Sequence, residues 1–469
     1  MNHQQTDLKK ELKIRHITMI SLGGVIGAGL FVGSGSLINM AGPASIFSYA
    51  LTGLLVVLVM RMLGEMATVN PSSGSFATYA REAMGPWAGY TIGWLYWFFW
   101  VIVIAVEAIA GANIIQYWFP SLPSWSVSLA LTFLLTLTNV YSVKSFGEFE
   151  YWFSLIKVVS IVLFLIIGGA IIFDLIPGVE SPGTSNILHR GGFLPNGISS
   201  VFLGITLIMF SFMGTEIVAT AAGETSQPEK AIVTATNSVI YRIVFFYLGS
   251  IAILVTVLPW NSTNLMKSPF VSVLELVNIP AAPQIMNFIV LTAVLSCLNS
   301  GLYTSSRMLF SMAKTGDAPR MFLKVNKKGV PLNAILGCTV ISYISVIFNY
   351  LSPEKIFLFL LNASGGVALL VYLVIAISQL RMRRKYEKEN PEALKIRMWL
   401  FPYLTYATII AITCGIVSMA FINSLRSQFF LTLIIIILVV GSYFITRNKR
   451  STGLLLEEKQ TALHYKSKG

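Results

Sequence analysis

The stretch from Gly23 to Gly33 reads GGVIGAGLFVG and places five glycines within eleven residues. It lies in the first apolar segment of the chain, where an ordinary membrane anchor would be a continuous helix. In a bilayer every backbone N–H and C=O group needs a partner, so an unwound segment persists only where it lines a cavity enclosed by protein. The sequence therefore predicts a broken membrane helix whose break binds a ligand with charged ends.

The composition of the whole chain indicates a membrane environment. Of its 469 residues, 55% are hydrophobic and 11% are charged, and the mean hydropathy is +0.73. Apolar stretches of about 20 residues predict twelve spanning α-helices, which begin near positions 17, 44, 87, 125, 152, 198, 236, 283, 333, 356, 400 and 427. A membrane β-barrel would alternate apolar and polar residues, and runs such as 431–440 do not. The expected fold class is an all-α integral membrane protein.

The net charge of +13 indicates a membrane topology rather than a nucleic-acid partner. Most of the 33 Lys and Arg residues fall in loops on one side of the predicted spans, the side that also carries both termini. The positive-inside rule places that side in the cytoplasm, where basic loops contact anionic lipid. The three cysteines, Cys297, Cys338 and Cys414, lie inside predicted spans without paired spacing, so no disulfide or metal site is expected.

A second break is predicted in the sixth span, where Phe210 to Glu216 reads FSFMGTE. Secondary transporters often contain two inverted repeats, each with a discontinuous helix at the corresponding position. Breaks in spans one and six indicate a 5+5 inverted repeat followed by two extra helices. The predicted divisions are a cytoplasmic N-terminal arm (1–16), a transmembrane domain (17–446) with repeats at about 17–173 and 198–380 and extra helices at about 400–446, and a cytoplasmic tail (447–469).

The two breaks together predict a site for a zwitterion. A split helix exposes N–H groups at one end and C=O groups at the other, so a carboxylate would lie on the N–H groups of the first break and an ammonium would meet carbonyls of the second. The predicted ligand is an amino acid. The candidate substrate-binding residues are Val25, Ile26, Gly27, Ala28, Gly29, Phe210, Ser211, Gly214, Thr215 and Glu216. The alternative is that the glycines only allow close helix packing, as small residues do in membranes.

Ionisable residues inside spans are costly and are functional candidates by default. Lys157 is either a built-in cation that binds and releases a proton or a lysine whose ammonium reaches the cytoplasmic edge of the membrane. Glu107 is either a proton-handling group or a hydrogen-bonded packing residue, and Glu216 has either a binding or gating role or a capping role at the second break. Arg61 and Glu65 are four residues apart and are expected to pair within one helix.

Five motifs carry a resemblance to a known family. They are GVIGAGLF at 24–31, PSSGSF at 71–76, GEFEYW at 147–152 followed by IKV at 156–158, GTE at 214–216, and NSGLY at 299–303. Over nearly its whole length the chain resembles the bacterial amino acid permeases of the amino acid–polyamine–organocation superfamily, and within that group it is most similar to γ-aminobutyrate permeases.

This resemblance implies a leucine-transporter-type fold and proton-coupled import of γ-aminobutyrate or a similar small amino acid across the bacterial cell membrane by alternating access. It implies no cofactor other than the proton as coupling ion. It also implies that Lys157 takes the place of a sodium ion and interacts with the first helix, and that Glu107 matches an acidic residue of the family. Ala28 stands where relatives often carry Ser or Thr, so only backbone contacts to the carboxylate are expected there.

Other functions are weighed against this one. A permease or exchanger for an α-amino acid is the nearest alternative, and an amino acid sensor that does not transport is more distant. An enzyme is not expected, because the spans lack an HExxH motif or clustered Asp and His residues. The aromatic run Trp94 to Trp100 is expected to pack against lipid, with a cage around a ligand as the alternative, and the oligomeric state is left open.

Overall fold

The computed structural model describes residues 12–23, 26–31, 33–262, 265, 269–351 and 353–466 of the chain. These residues form an almost entirely helical bundle, with one isolated β-bridge among them between Leu12 and Thr225. Ten stretches within the described part are long and apolar enough to cross a membrane. The expected all-α membrane fold is confirmed.

The helices of the first half are α1 (Ile14–Gly23), α2 (Ala28–Phe31), α3 (Gly33–Ala41), α4 (Ser45–Val69), α5 (Ser75–Met84), α6 (Pro86–Ile115), α7 (Ser124–Tyr141), α8 (Val143–Ile172) and α9 (Ser185–Leu188). Those of the second half are α10 (Gly197–Phe212), α11 (Ile217–Ala222), α12 (Pro228–Tyr241), α13 (Gly249–Val257), α14 (Pro269–Leu276), α15 (Ala282–Lys314), α16 (Leu332–Leu351), α17 (Pro353–Glu389), α18 (Tyr403–Phe421) and α19 (Asn423–Lys466). A π-helical turn, Arg242–Leu248, joins α12 to α13.

Both predicted breaks are present. In the first, α1 ends at Gly23 and α2 begins at Ala28, and the Leu30 N–H donates to the Gly27 carbonyl at 3.3 Å. In the second, a turn separates α10 from α11, and Gly214 has φ +102°, a value that glycine adopts far more readily than other residues. The pieces are short, 10 residues in α1 and 16 in α10. The predicted total of twelve spans therefore stays a prediction.

The centre of the bundle is α6, which packs extensively against α15 and also against α17 and α7. This position corrects the expectation that the aromatic run of α6 faces lipid. Tyr96, Phe99 and Trp100 are buried inside the bundle, because α6 is apolar on all sides and such a helix belongs in the core. At the other extreme, only 6% of the most apolar window of α19 is buried, which places this helix at the periphery.

The expected pair between Arg61 and Glu65 on α4 is wrong. The Glu65 carboxylate is fully buried and accepts hydrogen bonds at 2.6 Å from the Arg383 guanidinium on α17 and from the Met398 N–H. Arg61 instead donates to a backbone carbonyl at 2.7 Å and lies 4.2 Å from the ring centroid of Trp399. A buried carboxylate needs full hydrogen bonding, and the tertiary fold supplies better donors than the neighbouring turn does.

Candidate functional site

The two breaks face one small cavity near the centre of the bundle. It is lined by Gly27 and Gly29 of the first break, Ser211 and Met213 of the second, Phe99, Trp100, Val103 and Glu107 of α6, and Cys297 of α15. Its volume is about 20 Å³, which is enough for one water-sized molecule. An amino acid is larger than this cavity, so it does not fit at the size that the structure shows.

Gly29 brings the two breaks into direct contact. A Cβ atom at this position would lie 2.5 Å from Ser211 Oγ and 2.9 Å from Ser211 Cα, so no other residue fits without moving the backbone. Gly27 has more room, because a Cβ there would lie 3.6 Å from both Cys297 Cβ and Glu107 Oε1. Gly29 thus allows the two breaks to pack closely, whereas Gly27 leaves space open at the cavity wall.

Side chains of the π-helical turn Arg242–Leu248 and of the break itself hold the carbonyl end of α10. The Tyr247 hydroxyl donates to the Ser211 carbonyl at 2.9 Å, and the Thr215 hydroxyl donates to the Phe212 carbonyl at 2.6 Å. The Arg242 guanidinium donates to Thr215 Oγ1 at 2.9 Å. A carbonyl oxygen has two lone pairs, so the Ser211 carbonyl still has capacity for a second donor such as an ammonium.

Glu216, a residue of the second break, stabilises the break by hydrogen bonds. Both of its carboxylate oxygens accept from the Gly214 N–H, at 3.1 and 3.0 Å. The Tyr96 hydroxyl of α6 donates to one oxygen at 2.9 Å, and the Tyr372 hydroxyl of α17 lies 3.5 Å from the other. Glu216 is fully buried and is not among the residues that line the cavity. These bonds indicate that the carboxylate stabilises the turn of the second break.

Lys157 is fully buried in the middle of α8, so its ammonium does not reach the membrane edge. Its Nζ atom donates to Ser296 Oγ on α15 at 2.8 Å, and Ser296 in turn hydrogen-bonds Glu150. Glu150 was missed in the sequence. The available signal is its spacing, because residues seven apart on an α-helix lie two turns apart on the same face.

Glu107 is the predicted acid that reaches the cavity. Its side chain is 2% exposed, and its Oε2 atom has no hydrogen-bond partner within the described residues. An unsatisfied buried carboxylate oxygen is costly. Glu107 is thus placed to receive a proton or a cationic group at the cavity wall.

The remaining candidates are placed as follows. Ile26 is fully buried, and Gly214 and Thr215 belong to the turn of the second break but are not among the residues that line the cavity. Val25 lies outside the described residues, as do the side chains of Ala28 and Phe210. Cavity-lining residues that the sequence did not single out are Phe99, Trp100, Val103, Met213 and Cys297.

Two broken helices that meet at one cavity inside a bundle of apolar spans are typical of secondary transport proteins. The chain belongs to the amino acid permease family, whose model matches residues 16–455. It is therefore a multi-pass permease and not an enzyme.

Two curated relatives are similar over most of the chain. The γ-aminobutyric acid permease of Bacillus subtilis (strain 168) is 67% identical over 451 residues, which cover 96% of each chain. The γ-aminobutyric acid permease of Escherichia coli (strain K12) is 51% identical over 419 residues, 89% of this chain and 90% of the relative.

A solved structure has the same fold. The manganese transporter of Eremococcus coleocola superposes with a TM-score of 0.59 at 13% identity, covering 96% of this chain and 100% of that one. At this identity the likeness shows the fold alone. That fold agrees with the expected leucine-transporter-type architecture.

Proposed function

We propose that this permease imports γ-aminobutyrate or a similar small amino acid together with a proton. The observation that carries the substrate class is the 67% identity with the γ-aminobutyric acid permease of Bacillus subtilis along 96% of both chains. The coupling proposal is supported by Lys157, which is fully buried and interacts electrostatically with Glu150 and with the cavity-lining Glu107.

The substrate is proposed to bind between the breaks when the cavity widens. Its carboxylate would lie on backbone N–H groups around Gly27, Ala28 and Gly29, where glycine lets a ligand approach the backbone closely. Its ammonium would lie between the Ser211 carbonyl and the Glu107 carboxylate, whose oxygen Oε2 is unsatisfied within the described residues. Val25, Ile26 and Phe210 would complete the walls of the widened site.

Lys157 and Glu107 are proposed as the coupling pair. Lys157 would supply the buried cation, and Glu107 would exchange a proton with the cavity. Gly214, Thr215 and Glu216 would keep the second break in shape while the bundle alternates between outward and inward access. No cofactor other than the proton is proposed.

The proposed location is the bacterial cell membrane, with lipid as the surrounding partner. Both termini are proposed to be cytoplasmic, because the positive-inside rule assigns the side with most of the basic loops to the cytoplasm. The division into an arm at 1–16, a permease domain at 17–446 with two inverted repeats, and a tail at 447–469 belongs to the same proposal.

Uptake into proteoliposomes tests the function. Labelled γ-aminobutyrate should accumulate when an inward proton gradient is imposed and should stop accumulating when an ionophore removes it. Lys157→Ala should abolish accumulation, whereas Lys314→Ala, at the cytoplasmic end of α15, should leave it unchanged. Accumulation that ignores the gradient would refute coupling, and inhibition by α-amino acids alone would refute the substrate class.

A further inference from the structure

We propose that Glu150 is a positioning residue for Lys157, which it holds through the hydroxyl of Ser296, and that it sets the pH range in which uptake runs. This inference rests on the proposed function, since it assumes that Lys157 takes part in proton coupling. Glu150 itself is not among the residues that line the cavity.

The hydrogen bonds around Ser296 have one consistent direction. Lys157 Nζ lies 2.8 Å from Ser296 Oγ, which lies 2.5 Å from Glu150 Oε1. A lysine ammonium has only donors, whereas a hydroxyl has one donor and two acceptor sites. Lys157 therefore donates to the hydroxyl, and the hydroxyl donates to the carboxylate. Bonds in this direction are those expected for a charged lysine. The Ser296 oxygen is the one atom that separates the ammonium from the Glu150 carboxylate.

The Glu150 carboxylate is fixed in place by further polar groups. Ser154 of the same helix donates to Oε1 at 3.3 Å, and the Asn299 amide of α15 donates to Oε2 at 3.4 Å. Asn139 of α7 donates to Asn299 at 2.8 Å. All of these side chains are buried, so a network from three helices holds the charge away from the cavity.

The other titratable groups near Lys157 are Glu107 on α6 and Cys297 on α15, and both line the cavity. One ammonium thus interacts electrostatically with two carboxylates of different kinds. Glu150 is fixed and hydrogen-bonded, whereas Glu107 has an unsatisfied oxygen within the described residues.

With all three groups ionised, this site is one positive charge short, and an unbalanced buried charge is costly. A cation that arrives at Glu107 restores the balance, whether it is a proton or a substrate ammonium. Glu150 therefore compensates the charge of Lys157 through Ser296, and Glu107 is left to interact with the cation from the cavity. Without the Glu150 charge, Lys157 would be left to interact with Glu107 instead.

Glu150→Gln tests the proposal, because it removes the charge but keeps the shape of the side chain. The pH midpoint of γ-aminobutyrate uptake should move by about one unit to lower pH, since an opposite charge within about 4–6 Å favours the charged form of its partner by roughly that amount or more. Without Glu150, Lys157 keeps its proton only at lower pH. Glu150→Asp restores the charge and should bring the midpoint back toward that of the wild type.

Ser296→Ala is an independent variant that breaks the connection while leaving both charges. It should shift the midpoint in the same direction by a smaller amount. Its matched control is Ser160→Ala on α8, whose hydroxyl only bonds the Ile156 carbonyl of its own helix at 2.7 Å, and this control should keep the wild-type midpoint. Glu229→Gln, an exposed acid in the first turn of α12, is the matching carboxylate control.

The measurement uses the purified full-length chain in proteoliposomes, with folding checked by gel filtration and thermal melting. If wild-type uptake ignores the proton gradient, the proposed function is refuted. If wild-type uptake depends on the gradient but folded Glu150→Gln and Ser296→Ala keep the wild-type midpoint, this inference alone is overturned. Should Glu150→Gln fail to fold, a wild-type midpoint for Ser296→Ala is sufficient to overturn it.

Discussion

Replacing Gly29 with alanine should drive the two broken helices apart. The added Cβ would lie 2.9 Å from both Cα and Cβ of Ser211 and 2.5 Å from its Oγ. Carbon atoms that are not bonded pack best at about 3.5–4.0 Å, so the breaks must separate by about 1 Å. A rotation of the Ser211 side chain cannot remove the clash, because one of the contacted atoms belongs to the backbone.

The expected cost has two parts. Overpacking in a well-packed core lowers the free energy of unfolding by ~1–3 kcal/mol, so Gly29→Ala should melt at a lower temperature than the wild type. A displacement of about 1 Å between the two breaks should also distort the site where they meet, so transport by the folded protein should fall. The loss of uptake should therefore exceed what the loss of folded protein explains.

Two glycines of the same chain serve as matched controls. A Cβ at Gly169 on α8 would meet nothing within 4 Å, so Gly169→Ala should keep wild-type melting and uptake. A Cβ at Gly27 would make ordinary contacts at 3.6 Å, so Gly27→Ala should fold normally but raise KM because it fills part of a cavity of about 20 Å³. Wild-type melting and uptake in Gly29→Ala would refute the close approach of the two breaks.

Other buried contacts give further predictions. Tyr96→Phe removes one donor from the Glu216 carboxylate and should lower stability by about 1.5–3 kcal/mol, the range for hydrogen bonds to charged groups; thermal melting measures this, and an unchanged melting curve would contradict the bond. Arg307→Gln leaves buried Glu224 without its partner at 2.8 Å and should destabilise the protein by ~3–5 kcal/mol, whereas replacing both residues with apolar ones should recover part of that loss in a double-mutant cycle. Glu65→Gln should loosen the loop that this carboxylate holds through the Met398 N–H, with faster amide hydrogen exchange at Met398 as the readout; equal exchange in both proteins would speak against that anchor.

The sequence was most informative where the chemistry is local. The backbone needs of an unwound segment in a bilayer are met by residues of that segment, so the glycines of 23–33 and the turn around Gly214 predicted both breaks correctly. The position of Lys157 in an apolar run likewise marked it as a candidate. Its full burial then removed the alternative that it reaches the membrane edge.

The sequence was least informative about which side chains meet. Lys157 and its acceptor Ser296 are 139 residues apart, and Glu65 and Arg383 are 318 apart. Periodicity gives little guidance in such helices, because a buried membrane helix is apolar on all sides and shows no preferred face. For that reason the expected pair on α4 was wrong, and Glu150 was missed.

By itself, then, the sequence determined that this is an all-α membrane protein with breaks in the first and sixth spans, since apolar length and glycine content act through local backbone hydrogen bonding. Only the tertiary structure decided that the breaks touch at Gly29 and Ser211, that Glu107 faces the cavity and that Glu150 is the partner of Lys157 through a serine. These relations depend on the rotation and depth of each packed helix, which side-chain contacts between distant segments determine.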